Sequence, residues 1–353
     1  MAGTIWEERY AIVPQMRVYD QLPSVLAPYV TAISKPNFRS EVLNTDSCGF
    51  RISHGRNGLI DSERWWRDSK RAIVLGGSFA FGVGASSDRH TLASGLNALT
   101  PYSFLNLGIR AANSTQELIA SIPFLDSAER IIVCSGINNL VVTLQSTGKN
   151  ELYGPVFAEE AFEALSPYSL HELTALVRAR LDAIGLRMLL GEVGSRILNK
   201  LLRAKRSRHI QKDEATPGAL LSDTNLMDVA GKALKRQRRD LSIIAKTIAP
   251  HGKLIFVAQP FADVSRGKPC LEEQRLFDLT DGLQGAHWHI LKSHLSELWP
   301  SYVAELGALC KKEGIEFVNL NTHDFRGWTY VDRVHMTDEG YRQASRRIAE
   351  GIS

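Results

Sequence analysis

The sequence predicts an α/β protein: a doubly wound parallel sheet sandwiched by helices and interrupted by a helical insertion. Three observations predict it. Short apolar runs around Ile73, Leu105 and Ile132 each end in glycine, at Gly76, Gly108 and Gly136. Helical spacing fills the gaps between them. The same rhythm returns toward the C-terminus after a long interruption. Continuous apolar runs of this length read as strands buried on both faces, and their alternation with helices calls for a parallel sheet.

Residues 1–70 have mixed character, and residues 1–40 are expected to form an N-terminal extension ahead of a main domain over 41–353. Val42–Ile52, with Asn44, Asp46, Ser47 and Gly49 at its centre, reads as two short strands about a turn. Arg71–Leu75 is the first sheet strand, ended by Gly76-Gly77. Leu92, Ala93, Leu96 and Leu99 follow helical spacing. Ser103–Gly108 is a second strand, Thr115–Leu125 a helix and Arg130–Gly136 a third strand. The rhythm then changes. Leu173, Leu176, Val177, Leu181 and Ile184 fit one helical stripe, helical character runs to about Arg208, and Thr216-Pro217-Gly218 breaks it. These residues place the helical insertion at about 145–222. A helix ending near Ile248 and the strand Lys253–Ala258 resume the sheet. Residues 262–295 read as an irregular excursion. Trp299–Lys312 is a helix, Ile315–Leu320 the last strand, and Thr337–Ile352 a terminal helix with Thr337 as its N-cap.

Composition bounds the function class. The chain has 353 residues, 44% hydrophobic and 23% charged, which suits a globular protein with a large core. No apolar run approaches the roughly 18 residues of a membrane span. Met1–Arg9 lacks the basic-then-apolar pattern of a secretory signal. Cys48, Cys134, Cys270 and Cys310 are scattered with no Cys-x-x-Cys pair, so they indicate neither a zinc site nor a redox motif. Reduced, buried thiols in a cytoplasmic protein are the simplest expectation.

Two further features have open readings. Residues 196–239 hold twelve Lys or Arg against four Asp or Glu, including Lys200, Arg203, Lys205, Arg206, Arg208, Lys232, Lys235, Arg236, Arg238 and Arg239. This is a solvated helical face, or a surface that attracts an acidic carrier protein or an anionic substrate. Nucleic acid fits least, because no aromatic residues interleave the charges. His287-Trp288-His289 with His294 invites a metal reading, but no cysteine or carboxylate stands at ligand spacing. Surface histidines in a long loop, or residues lining a substrate cleft, fit better.

The segment Gly76-Gly77-Ser78-Phe79-Ala80-Phe81-Gly82 carries the chemistry. A phosphate loop would need Lys and Ser/Thr after Gly82, where Val83 and Gly84 stand. The dinucleotide fingerprint also fails, because Ala85, Ser86 and Ser87 follow Gly84. Ser78 lies where the chain leaves the sheet, at the edge where open α/β sheets bind ligands. A nucleophilic serine needs a base, an acid that orients it and donors aimed at a developing oxyanion. Asp332-Arg333-Val334-His335 offers the acid and the base, spaced so that the carboxylate can curl back onto Nδ1 and leave Nε2 for Ser78. Glycines and the Asn138 amide at the other strand ends offer donors.

Together these residues resemble the SGNH (GDSL-type) hydrolase superfamily. Gly76–Gly82 is similar to its first block, with Gly77 where aspartate is familiar. Asn106-Leu107-Gly108 followed by Asn113-Ser114-Thr115-Gln116 is similar to the second, Gly136-Ile137-Asn138 to the third, and Asp332–His335 to the last. Asn139 stands where the family usually continues with aspartate. The resemblance spans about 40–140 and 224–353. It implies a flavodoxin-like doubly wound fold and a cofactor-free serine esterase with a Ser78–His335–Asp332 triad. It further implies an oxyanion hole from the N–H groups of Ser78 and Gly108 and the Asn138 side chain. The substrate class it implies is a small-molecule acyl ester, such as an O-acetyl group on a carbohydrate or metabolite. An acyltransferase using the same site, or a non-catalytic binding protein on this fold, are the alternatives.

Overall fold

A computed structural model describes residues 2–27, 29–146, 148, 152–154, 225–248 and 252–352. The apolar stripe at 173–184, the Thr216-Pro217-Gly218 break and the basic residues 196–212 lie outside the described residues. The N-terminal residues form α1 (Ala2–Ile12), α2 (Met16–Gln21) and two antiparallel hairpins. The first hairpin pairs β1 (Ser24–Ala27) with β2 (Thr31–Ser34), and the second pairs β3 (Ser53–Gly55) with β4 (Gly58–Ile60). Then comes the main sheet: β5 (Arg71–Gly76), β6 (Ser103–Asn106), β7 (Arg130–Ser135), β8 (Lys253–Ala258) and β9 (Glu316–Asn319). All its pairings are parallel and the spatial order is β6-β5-β7-β8-β9. This is the doubly wound α/β arrangement the sequence predicts. The winding reverses between β5 and β7, and their C-terminal ends open a crevice there.

Side-chain alternation along the strands divides the core. Ile73 and Leu75 of β5, with Ile131 and Val133 of β7, face one side. There they meet α5 (Ser114–Ser121), α6 (Ile137–Gln145), α7 (Leu226–Thr247) and α9 (Leu271–Glu313). Ala72 and Val74, with Ile132 and Cys134, face the other side, against α4 (Leu92–Leu99) and α10 (Asp338–Ala349). Both faces of every central strand are dry, which is why these segments read as unbroken apolar runs.

Several elements differ from the sequence expectation. Val42–Ile52 forms one bridge, Thr45 to Arg51, rather than two strands. The Asp46 carboxylate explains this: it accepts from the N–H groups of Cys48 (2.9 Å), Phe50 (2.9 Å) and Ser62 (3.0 Å), offering the backbone a turn in place of a ladder. The helix expected over Thr115–Leu125 ends at Ser121 and tightens into a 3₁₀ turn over Ile122–Ser127, where Pro123 has no N–H to continue it. The stretch 262–295 is not irregular. A short α8 (Ala262–Ser265) leads into α9, a continuous helix of 43 residues that contains Pro300. Apolar residues of α9 meet both core layers, Leu295 and Leu306 in one and Phe277 in the other. No single helical stripe could therefore show in its sequence. The terminal helix starts as expected, with Thr337 Oγ1 accepting from Gly340 N–H at 3.3 Å.

The N-terminal extension packs on the main domain in one compact unit. Tyr19 Oη sits 2.9 Å from the Gly82 carbonyl and 2.7 Å from that of Ala85, and accepts from the buried Arg51 at 2.7 Å. Arg51 also donates to Gly82 O (2.7 Å) and pairs with Asp88 (2.8 Å). Among the cysteines, Cys134 and Cys310 are buried as expected, but Cys48 is exposed and Cys270 half-buried; all four are free.

Candidate active site

Ser78 is the first residue of α3 (Ser78–Phe81), directly after β5 and Gly77. It therefore stands at the mouth of the crevice where the winding reverses. The loop between β9 and α10 brings His335 to it across 257 sequence positions. His335 Nε2 lies 2.7 Å from Ser78 Oγ, and its Nδ1 lies 2.7 Å from Asp332 Oδ2. The other Asp332 oxygen accepts from the N–H groups of Val334 (2.9 Å) and His335 (2.8 Å). The carboxylate thus shapes the loop and orients the ring at once. Burial alone would push the Asp332 carboxyl up. The facing His335 imidazole and the hydrogen bonds from His335 and Val334 outweigh burial and hold it well below the usual carboxylate range.

Asn138 lies in the first turn of α6 and donates from Nδ2 to the Ala112 carbonyl at 2.8 Å, which leaves its second amide N–H for another acceptor. A Cβ on Gly77 would stand 2.3 Å from that same Nδ2. Glycine before the serine lets the Asn138 amide press against the turn that carries Ser78, and an aspartate there would displace it. Gly108 also serves a close approach. A Cβ on it would stand 2.2 Å from the Phe81 backbone nitrogen, inside α3 itself. Its N–H already has an acceptor, which the sequence does not foretell: it donates to Asn106 Oδ1 at 2.9 Å. The nearby loop contains Ala111 in the left-handed region, φ 63°, which L-residues rarely adopt. Among the described residues, no acceptor takes the Ala111 N–H. Nothing in a lone alanine signals such a backbone, so sequence reading passes over it.

Other residues brace this arrangement; the sequence marks Asn113, Gln116 and Asn139 by resemblance but not their contacts, and it gives no sign of the role of Arg333. Asn139 Oδ1 accepts from Ser114 N–H at 2.9 Å and its amide donates to Gln237, so it links α5, α6 and α7. Asn113 and Gln116 cap α5 reciprocally, Gln116 N–H to Asn113 Oδ1 (3.1 Å) and Asn113 N–H to Gln116 Oε1 (2.9 Å). Arg333, inside the loop that carries Asp332 and His335, forks onto Asp281 of α9 through Nε (3.0 Å) and Nη2 (2.7 Å). It also pairs with Asp263 of α8 and lies over the Phe277 ring at 4.9 Å. Asp281 accepts further from Trp288 Nε1 (2.6 Å) and Lys292 (2.7 Å). Burial raises its pKa, and these donors more than reverse that, bringing it down to about 2. Trp288 of the His-Trp-His segment therefore belongs to the clamp behind His335, on a helix rather than in a loop. Among the described residues, no three His, Cys, Asp or Glu side chains gather into a group that could hold a metal ion.

No protein-family model matches the chain, and no curated protein matches it. Solved structures similar to it include an extracellular lipase from Streptomyces rimosus. That pair shares 12% identity at a TM-score of 0.42, covering 80% of this chain and 99% of that one. A carbohydrate acetylesterase family member from Sinorhizobium meliloti is similar at 11% identity and a TM-score of 0.42, covering 80% and 97%. A GDSL-like lipase from Bacteroides ovatus is similar at 12% and 0.40, covering 81% and 53%. The strand order and register described above define the fold class directly. Among the described residues, no helix is long and apolar enough to cross a membrane.

Proposed function

We propose that the protein is a serine hydrolase of carboxylic esters that works through an acyl-enzyme on Ser78. One observation carries the reading: the unbroken chain from Ser78 Oγ to His335 Nε2, and from His335 Nδ1 to Asp332, at 2.7 Å in each link. Neutral His335 takes the Ser78 proton as Oγ attacks the ester carbonyl, and Asp332 stabilises the imidazolium that forms. The tetrahedral oxyanion is met by the Ser78 N–H, the second Asn138 amide N–H and the Ala111 N–H, the last replacing Gly108 in that role. His335 gives its proton to the leaving alcohol. It then takes a proton from water, whose oxygen attacks the acyl carbon and releases the acid and free Ser78. The substrate is an O-acyl ester of a carbohydrate or small metabolite, O-acetyl esters included. The basic residues of α7 add little to an anionic-partner reading, because Arg236 is buried and Lys232, Arg238 and Arg239 pair with Asp228, Glu313 and Asp240.

Two measurements test this. A fluorophosphonate should add one mass increment to the protein and none to Ser78→Ala. An intact-mass screen against short-chain and sugar acyl esters should show a transient acyl adduct that Ser78→Ala lacks. An ester-cleavage rate that survives Ser78→Ala overturns the proposal. Transfer to an added alcohol in preference to water would recast the same site as an acyltransferase.

A further inference from the structure

The end of the sheet remote from Ser78 holds a cavity of about 240 Å³, lined by Arg56, Arg64, Arg67, Asp68 and Tyr102 among others. It is a separate place. Tyr102 and Ser103 lead into β6, whereas Asn106–Gly108 close that strand toward Ser78, and β5 alone is about 20 Å long at ~3.3 Å per residue. Arg56 comes from the β3–β4 connection, and Arg64 and Arg67 from a 3₁₀ turn over Arg64–Arg67. In a 3₁₀ turn, side chains three apart eclipse one another, so the two guanidinium groups share one side.

Most described arginines hold a carboxylate, a carbonyl or a ring, as Arg51, Arg110, Arg130 and Arg333 do. Among the described residues, Arg56, Arg64 and Arg67 have no such partner. The nearby carboxylates are turned elsewhere: Asp61 accepts from the N–H groups of Glu63 and Arg64, and Glu63 accepts from Ser47. Only Asp68 brings negative charge to the wall, leaving a surplus of two positive charges. Like charges gathered this way raise the local attraction for an anion. The turn that presents them is rigid. Trp65 is fully buried and donates from Nε1 to the Ala72 carbonyl at 2.9 Å, and Trp66 stacks on Phe124.

We propose that this cavity binds a small phosphate monoester. Arginine forks match phosphate oxygens bidentately, and a dianion balances the surplus charge. The volume gives room for a phosphate and a small polar body. Tyr102, with Arg130 against its ring at 4.7 Å, offers a flat wall for that body.

Calorimetric titration of the intact protein with glucose 6-phosphate, inorganic phosphate and glucose tests this. Saturable binding of both phosphates, weakening as salt rises, with no binding of glucose, is expected. The double variant Arg64→Gln, Arg67→Gln should lose about tenfold or more in affinity. It should keep its melting temperature and its fluorophosphonate labelling, since all three arginines are exposed and remote from Ser78. Arg326→Gln, on a different surface, should bind as the parent does. Absence of saturable phosphate binding, or binding that the double variant leaves unchanged, overturns the proposal.

Discussion

Ser78 and His335 face each other across 2.7 Å, yet the chain holds them by different means. The turn that carries Ser78 is held by contact. Gly77 lets the Asn138 amide in, Gly108 lets a loop lie against the α3 backbone, and strands buried on both faces surround them. The loop that carries His335 is held by charge. Asp332 gathers two backbone N–H groups and the imidazole, and Arg333 is forked between Asp281 and Asp263. Close packing is indifferent to pH, whereas carboxylate clamps loosen when they take up protons. Ser78 is thus placed by shape, and His335 by ion pairs that acid can release.

Substitutions at each half separate these two means. The largest loss is expected from Ser78→Ala, on the order of 10⁴ or more in kcat, because no other atom can form the acyl-enzyme. Asn138→Ala should cost roughly 10²–10³ in kcat with KM little changed, read from steady-state ester kinetics. Gly108→Ala forces the α3 backbone to move away from a 2.2 Å approach, and a misplacement near 1 Å costs about 10²-fold. Its rate deficit should be the same at every pH, and a deficit that changes with pH would contradict holding by shape. Arg333→Ala should lower kcat roughly tenfold and stability by about 2–4 kcal/mol, because it leaves the Asp281 and Asp263 carboxylates without their fork. Arg333→Lys, which cannot fork, should recover only part of the rate.

The smallest effect is the pH dependence of the parent protein. The Asp281 carboxyl lies at about 2 in the folded chain against an ordinary 3.8, and that of Asp332 is also depressed. The unfolded chain therefore binds these protons first as pH falls. The stabilisation from Asp281 is full above pH 4 and is lost between about 4 and 2, whereas that from Asp332 begins to fall over the same range and goes on falling at lower pH. Thermal melts between pH 5 and 2.5 should show this fall, with a shallower slope for Asp281→Asn. An equal slope would mean that the clamp contributes nothing.

Much of the site was legible because its signals are local. A strand end marked by Gly76-Gly77 exposes Ser78, and Asp332 and His335 are three apart in one loop. Asn138 follows the β7 strand end. The sheet was legible for the same reason, since burial on both faces writes itself into short apolar runs. The length of α9 was hidden because its apolar residues meet both core layers and leave no single stripe. The direction of the Gly108 N–H was hidden because the Asn106 side chain captures it, and no rule of spacing says which acceptor wins. Arg333 was hidden because its partners lie 52 and 70 positions away. The contact of Asn139 was hidden because its partner Gln237 lies 98 positions away.

By itself, the sequence determined which groups could act and at which strand ends they emerge, because hydrophobic period and backbone freedom are properties of neighbouring residues. Tertiary structure alone decided how firmly they are held, which acceptor takes the Gly108 N–H and which of the described arginines lack a partner, because each of those depends on where distant segments meet.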